Sequence, residues 1–328
     1  MRSWILVLVG VAVSAGALFV VLRSVDLEET GRLVASANLP ILSLTLVVVA
    51  VQIVLRTARW GVLLRPFAPR RLHLWRLAPL LLIGYLGNAV LPARLGEPIR
   101  AVLVNRREGV PLPEALGAVF LERLVDVATL GLVAFAAAAV AGAPAWVVQI
   151  AAIAALVGTG LVVLFAVGSP SAVVGAARRL PVARRRDAYG RSLDRVARFV
   201  GALGHAHPVS SIGIAVAVSS VAWVLDATTF WLVGRSLGID LHFGAAVLVA
   251  AVAVLGTAIP SAPGYVGTFE LAAASVAVAL GVPESAALGL ALVAHGATVL
   301  PPAVGGALSL VGTGASLRQV ATEAAHTR

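Results

Sequence analysis

Six apolar stretches, residues 4–22, 41–63, 115–141, 146–168, 209–234 and 286–312, dominate the chain. Each, as a helix rising about 1.5 Å per residue, approaches or exceeds the roughly 30 Å of a bilayer's hydrocarbon. With 60% hydrophobic and 12% charged residues, 328 residues cannot hide this surface as a soluble domain. The fold class that follows is an all-α polytopic membrane protein. The first stretch, Trp4 to Leu22, exceeds a usual signal-peptide core and reads as a retained span, although Ser14, Ala15 and Gly16 offer a small-residue cleavage site. The absence of cysteine excludes disulfides, thiolate chemistry and cysteine metal sites.

Three other apolar pieces are too short to cross. Residues 78–91 reach about 21 Å, residues 244–259 about 24 Å and residues 269–280 about 18 Å. Such pieces suit re-entrant or broken helices, and arginine distribution tests this because cytoplasmic loops gather basic residues. Arg56, Arg59, Arg65, Arg70, Arg71 and Arg76 follow the second span with no acidic residue among them. Arg178, Arg179, Arg184, Arg185, Arg186, Arg191, Arg195 and Arg198 face only Asp187 and Asp194 in the connection 169–208. Both segments are expected in the cytoplasm, and a hairpin at 78–104 keeps them there whereas a single crossing would not. The same count makes 244–280 a second hairpin entering from outside, with both termini cytoplasmic. Two short full crossings in place of each hairpin give the same parity, so length decides for hairpins.

The expected organisation is one membrane domain, 1–328, with about six full spans and two re-entrant hairpins. It holds a repeat A at 41–141, a repeat B at 209–312 and a basic cytoplasmic loop at 169–208. The repeats enter from opposite sides and echo one another. Asn88-Ala-Val-Leu-Pro92 with Gly96-Glu97 matches Gly256-Thr-Ala-Ile-Pro260 with Gly267-Thr-Phe-Glu270. Gly109-Val110-Pro111 likewise matches Gly281-Val282-Pro283. Inverted repeats with interrupted helices place a binding site near the midplane, where irregular backbone lines a cavity.

The candidate chemistry lies at the two tips. Arg94, Glu97 and Arg100 surround the first turn; helical spacing allows a structural Glu97–Arg100 pair, while a guanidinium also matches phosphate bidentately. Glu122, Arg123 and Asp126 lie on the following span, with Asp126 about 17 Å along it. Two carboxylates there need a proton or a cation, which an ion-pair network with the hairpin arginines or a headgroup amine would supply. The second tip carries Ser261, Pro263, Gly264, Tyr265, Gly267, Thr268 and Glu270, and the N-terminus of its helix offers free N–H groups to an anion, for which Glu270 competes. Asp126, Asp226, Glu270 and His295 are candidates for proton coupling; interhelical hydrogen bonds are the alternative for Asp226 and His295.

The net charge of +10 is accounted for by topology, so no nucleic-acid partner is expected. The arginines at 178–198 also suit acidic headgroups. His205 and His207 lack an acidic cluster in sequence and no metal is expected. No Walker motif, nucleotide loop or nucleophile elbow occurs, so neither a cofactor nor an enzymatic activity is expected. All basic residues are arginine among abundant Ala, Val, Leu and Gly, which points to a GC-rich bacterial genome and a cytoplasmic (inner) membrane.

The runs Gly87-Asn-Ala-Val-Leu-Pro-Ala-Arg-Leu-Gly-Glu-Pro-Ile-Arg100, Leu121-Glu-Arg-Leu-Val-Asp126 and Pro263-Gly-Tyr-Val-Gly-Thr-Phe-Glu270 resemble the membrane domain of lysylphosphatidylglycerol synthase/flippases over roughly residues 5–315. The positions that match are Asn88, Arg94, Glu97, Arg100, Glu122, Arg123, Asp126, Pro263, Gly264, Gly267 and Glu270. The resemblance implies lipid translocation, with aminoacyl-phospholipid, another anionic phospholipid or a polyprenyl-phosphate-linked sugar as cargo. It also implies a separate lipid-modifying enzyme as a partner, because no segment here reads as the family's soluble synthase. A proton- or ion-coupled transporter of a small soluble substrate, and an accessory to a membrane glycosyltransferase, are the competing expectations.

Overall fold

The computed structural model of the chain describes residues 2–23, 25–91, 94–167, 209–259 and 261–313. The basic connection 169–208 with His205 and His207, the C-terminal Arg318 and Arg328, and Pro92 and Pro260 lie outside the described residues.

Among the described residues the chain forms α-helices and short 3-10 turns, with no strand. The first half holds α1 (Arg2–Leu22), α2 (Leu27–Ala35), α3 (Leu39–Leu64), α4 (Leu74–Val90), α5 (Gly96–Glu108), α6 (Leu112–Ala141) and α7 (Ala145–Val167). The second half holds α8 (Val209–Ser236), α9 (Phe243–Gly256), α10 (Thr268–Ala279) and α11 (Glu284–Thr313). Local chemistry sets their ends. Asp26 accepts the N–H groups of Glu28 and Glu29 at the start of α2, and Asn38 accepts that of Ile41 at the start of α3. Gly109, at φ +72°, closes α5 in the left-handed region that a side chain resists.

Among the described residues four helical segments are long and apolar enough to cross a membrane: Leu39–Phe67, Ala145–Leu164, Ser210–Ser236 and Glu284–Gly312. Of the six full spans expected from sequence, α1 and α6 fall outside this set. The 30 residues of α6 have the length, but Glu122, Arg123 and Asp126 interrupt its apolar run. Val9–Leu22 meets Leu27–Ala35 at 88°, making the start of the chain a bent pair. Arg56 and Arg59 also need correction: α3 continues to Leu64, so both are side chains within a membrane helix rather than parts of an arginine-rich loop. Arg65, Arg70, Arg71 and Arg76 remain to carry the charge-parity argument.

Small residues let backbones touch. A Cβ on Gly96 would fall 1.8 Å from the carbonyl oxygen of Gly84, so α4 and α5 pack at van der Waals distance. Gly131 and Gly158 do the same between α6 and α7, where added Cβ atoms would lie 2.3 Å from Ala155 N and 2.4 Å from Ala128 N. Close approach of this kind is how helices associate in lipid, where hydrophobic transfer between protein and solvent is weak. One apolar core gathers Trp60, Leu81, Ile99 and Val125 around α4–α5; another gathers Phe230, Leu248, Phe269 and Leu290 around α9–α10. Leu156, Leu308 and Val311 are exposed on the outer faces, as lipid contact requires.

The interfaces of α3, α4 and α6 with the second half come in matching pairs. Helix α4 packs against α11 and α9 against α6; α3 packs against α11 and α8 against α6; α3 and α8 pack against each other. This brings the α4–α5 and α9–α10 turns together in the interior.

Candidate functional site

The first tip begins where Leu91 leaves α4 in an extended conformation, and ends at Gly96. The second runs from Thr257 through a 3-10 turn, Pro263–Tyr265, to Gly267 at the start of α10. Arg94 joins them. Its Nη2 donates to the Thr257 carbonyl at 2.6 Å and lies 2.8 Å from Thr257 Oγ1, while its guanidinium sits 5.2 Å from the Tyr265 ring centroid. A Cβ on Gly264 would come within 3.3 Å of the Ala89 carbonyl, so the second tip rests on the end of α4. From the other side α1 holds this tip: Ala262 N–H donates to Ser14 Oγ at 2.8 Å.

Beneath the tips lies a network of buried charges. Arg59 is 1% exposed; it donates to Glu122 at 2.5 Å, to Ser219 Oγ at 2.5 Å and to Asp126. Arg100, 2% exposed, reaches Glu122 at 2.8 Å from the opposite side. Arg123 Nε lies 2.8 Å from Glu97 Oε1, and its Nη1 lies 3.4 Å from Asp126. Across the α3–α8 contact Arg56 meets Asp226 at 2.5 Å, and Gln52 donates to the same carboxylate at 3.0 Å. Burying so many ions is tolerable only because each carboxylate has an arginine. The Glu97–Arg100 pair allowed by helical spacing does not form; the two side chains find partners on α6 instead.

A cavity of about 190 Å³ opens between this network and the tips. Gln52, Ile53 and Arg56 of α3, Tyr85 and Asn88 of α4, Arg94, Arg123, Trp223 and Asp226 of α8, Thr257, Tyr265, and His295 and Thr298 of α11 line it, with Val49, Val254, Val299 and Pro302 as apolar wall. The wall is thus cationic and amphipathic.

The structure divides the candidate residues. Asn88, Arg94, Arg123, Gly264, Tyr265, Asp226 and His295 reach the cavity. Glu97, Arg100, Glu122 and Asp126 stand behind that wall as partners of arginines. Ser261, Pro263, Gly267 and Thr268 build the second turn, with Thr268 Oγ1 donating to the Tyr265 carbonyl at 3.2 Å. Glu270 accepts the Gly267 N–H at 2.7 Å and so occupies the helix N-terminus that sequence offered to an anion. Its other oxygen lies 2.5 Å from His295 Nδ1, and the His295 ring stacks on Phe269 with centroids 4.2 Å apart.

Sequence reasoning did not place Arg56, Arg59, Gln52, Ser219 or Thr257 in the site. For the two arginines a signal existed: both fall inside the apolar stretch 41–63, and a charge inside a span calls for a buried partner.

The family model described as the lysylphosphatidylglycerol synthase TM region matches residues 7–306. Among curated proteins, the glycosyltransferase AglD of Haloferax volcanii is 26% identical over 357 aligned residues, 98% of this chain and 57% of that protein. A UPF0104 membrane protein of Methanothermobacter thermautotrophicus is 24% identical over 272 residues, 80% of each chain. The chain thus spans little more than half the length of the first of these relatives. With the family match running from α1 into α11 and through both tips, the chain belongs to the family of the lysylphosphatidylglycerol synthase membrane region.

Proposed function

We propose that the chain translocates an anionic lipid by passing its headgroup through the cavity between the tips while the acyl or prenyl chains stay in the bilayer. The observation that carries this is a charge imbalance. Arg56, Arg59, Arg94, Arg100 and Arg123 converge around the cavity against Glu97, Glu122, Asp126, Asp226 and the His295-bound Glu270, so that cations exceed anions by one when His295 carries a proton. Arg94, 31% exposed, has only Glu97 at 3.9 Å, and Glu97 is held closer by Arg123. One phosphodiester monoanion beside Arg94 and Arg123 restores balance, and guanidinium geometry suits it.

Cavity size supports a headgroup rather than a whole lipid. The volume of about 190 Å³ holds on the order of a dozen waters at roughly 10–15 Å³ each on this measure. Aminoacyl-phospholipid, another anionic phospholipid and a polyprenyl-phosphate-linked sugar share the required phosphate. The AglD relative is named a glycosyltransferase, which supports a sugar-bearing lipid among these cargoes.

The architecture belongs to the same proposal: inverted repeats 41–141 and 209–312, each span, re-entrant hairpin, span, in one membrane domain with cytoplasmic termini. The paired interfaces α4–α11 and α9–α6 support it, as do the lengths of α5 and α10, about 20 Å and 18 Å. Native mass spectrometry of the full chain in mixed phosphatidylglycerol and phosphatidylcholine micelles tests the site. Retention of phosphatidylglycerol, reduced at least tenfold in Arg94→Gln and Arg123→Gln, is expected; equal retention of the two lipids contradicts the reading.

A further inference from the structure

The two tips present corresponding pairs that differ in one chemical respect. Arg123 and His295 each stand twelve residues after the proline of a Gly-Val-Pro turn, at 109–111 and 281–283. Each projects from the helix after a hairpin to a glutamate in the first turn of the hairpin's second helix. Arg123 Nε meets Glu97 Oε1 at 2.8 Å, and His295 Nδ1 meets Glu270 Oε1 at 2.5 Å. Arg123 and His295 line the same cavity. A guanidinium is permanently charged, whereas an imidazole titrates between about pH 5 and 8.

The hydrogen bonds fix how a proton would be held. Glu270 accepts the Gly267 N–H through Oε2, which favours its ionised form and leaves Oε1 to accept from His295 Nδ1. In neutral His295 the lone pair then sits on Nε2, at the ring edge away from Glu270. Stacking on Phe269 keeps the ring in that plane. A proton taken up at Nε2 forms an imidazolium and changes the local charge by +1, with no other bond made or broken.

The surroundings make that charge consequential. Facing the cavity with His295 are Arg56 on α3, Tyr85 on α4, Arg94 and Tyr265 at the tips, Arg123 on α6 and Asp226 on α8, while Glu270 of α10 lies behind the ring. Helix α2 meets α11 at Ser285, ten residues or about 15 Å along the axis from His295. With Arg56 holding Asp226 and Glu270 accepting through both oxygens, a proton on His295 takes the five arginines and five carboxylates around the cavity to one cation in excess, which a bound anion balances.

We infer that His295, oriented by Glu270, is a proton-binding site linked to anion binding in the cavity, so that the two ligands bind cooperatively. The inference rests on the anionic-headgroup reading above and adds the coupling ion to it. Linkage makes the effect reciprocal: protonation tightens anion binding, and a bound anion raises the proton affinity of His295 by the same factor.

Two measurements test this on the full chain. In proteoliposomes with equal pH inside and out, movement of NBD-phosphatidylglycerol, followed by albumin back-extraction, should rise at least fivefold from pH 8 to pH 5.5 in one titrating step. His295→Arg should abolish the step by fixing the charge, and His295→Gln should abolish it at a low rate. A step of wild-type size in His295→Arg overturns the inference. If wild type moves no lipid at any pH, the translocation reading fails on its own. Nitrogen-15 histidine NMR then decides the linkage in wild-type protein, with His295→Asn supplying the assignment. A His295 titration displaced to higher pH by inorganic phosphate supports it, and an unmoved titration overturns it.

Discussion

Arg94 and Tyr265 are the two non-glycine residues with positive φ among the described residues, 53° and 62°, and they meet each other, guanidinium over ring at 5.2 Å. One stands on each tip. A left-handed backbone costs a non-glycine residue roughly 1 kcal/mol or more, so both tips hold strained turns at their point of contact. Strain of this kind persists where the surrounding structure dictates it, here through the bonds from Arg94 to Thr257.

This pairing separates stability from function at one position. Arg94→Ala and Arg94→Gly both remove the guanidinium, but only glycine relaxes φ 53°. Thermal unfolding in detergent should place Arg94→Gly above Arg94→Ala by about 1 kcal/mol. Both should lose lipid binding equally, by at least tenfold. Alanine more stable than glycine would refute the strained backbone.

Arg59 makes the opposite case. Its loss leaves Glu122 and Asp126 buried with fewer cations, and breaking a buried ion pair typically costs about 3–5 kcal/mol. Arg59→Ala should therefore lower the unfolding midpoint far more than Arg94→Ala. Adding Asp126→Asn to Arg59→Ala should recover part of the loss, since Glu122 keeps Arg100, Glu97 keeps Arg123 and the carboxylate left over is neutralised. An Arg59→Ala protein as stable as wild type would remove the network from the account of the fold.

Gly96→Ala tests the hairpin contact. The new Cβ would meet the Gly84 carbonyl at 1.8 Å, and backbone cannot yield as a flexible side chain does. Helices α4 and α5 must separate, so folded yield on size-exclusion chromatography should collapse. Gly142→Ala offers a comparison, because nothing lies within 4 Å of a Cβ there and only its positive φ resists the change. Equal yields for the two would contradict the close packing.

How much of this was legible in the sequence follows from what each signal measures. Helix positions were readable because α3, α8 and α11 are continuous apolar runs, and the short hairpin helices because α9 and α10 are too brief to span. The tips were readable because Pro, Gly and Glu repeat at similar spacing. Which charge meets which was not. Glu97 and Arg100 share a helix face by spacing, yet tertiary packing turns Glu97 to Arg123 and Arg100 to Glu122. Arg59 was read as topology because charge counting along a chain ignores where a helix ends; α3 continues past it to Leu64, and burial follows. The correspondence of Arg123 with His295 was latent in the two Gly-Val-Pro turns, but both glutamate contacts had to be seen before it acquired chemical meaning.

Membrane sidedness is open to a background-free test, since the chain has no cysteine. Arg71→Cys and Arg107→Cys flank the α4–α5 hairpin, and Asp240→Cys and Glu284→Cys flank the α9–α10 hairpin; all four positions are exposed. An impermeant maleimide should label the first two from the cytoplasmic side only and the last two from the other side only. Labelling of Arg71→Cys and Arg107→Cys from opposite sides would replace the re-entrant hairpin with a crossing.

The most direct measurement of the central claim is translocation itself. Full-length protein in phosphatidylcholine proteoliposomes would be supplied with matched NBD-phosphatidylglycerol and NBD-phosphatidylcholine, and the accessible fraction of each followed over time. The account predicts movement of the anionic lipid at least tenfold faster than the zwitterionic one, with the difference lost in Arg94→Gln and Arg123→Gln proteins that still fold. Equal rates for the two lipids, or a preference that survives both substitutions, would contradict it.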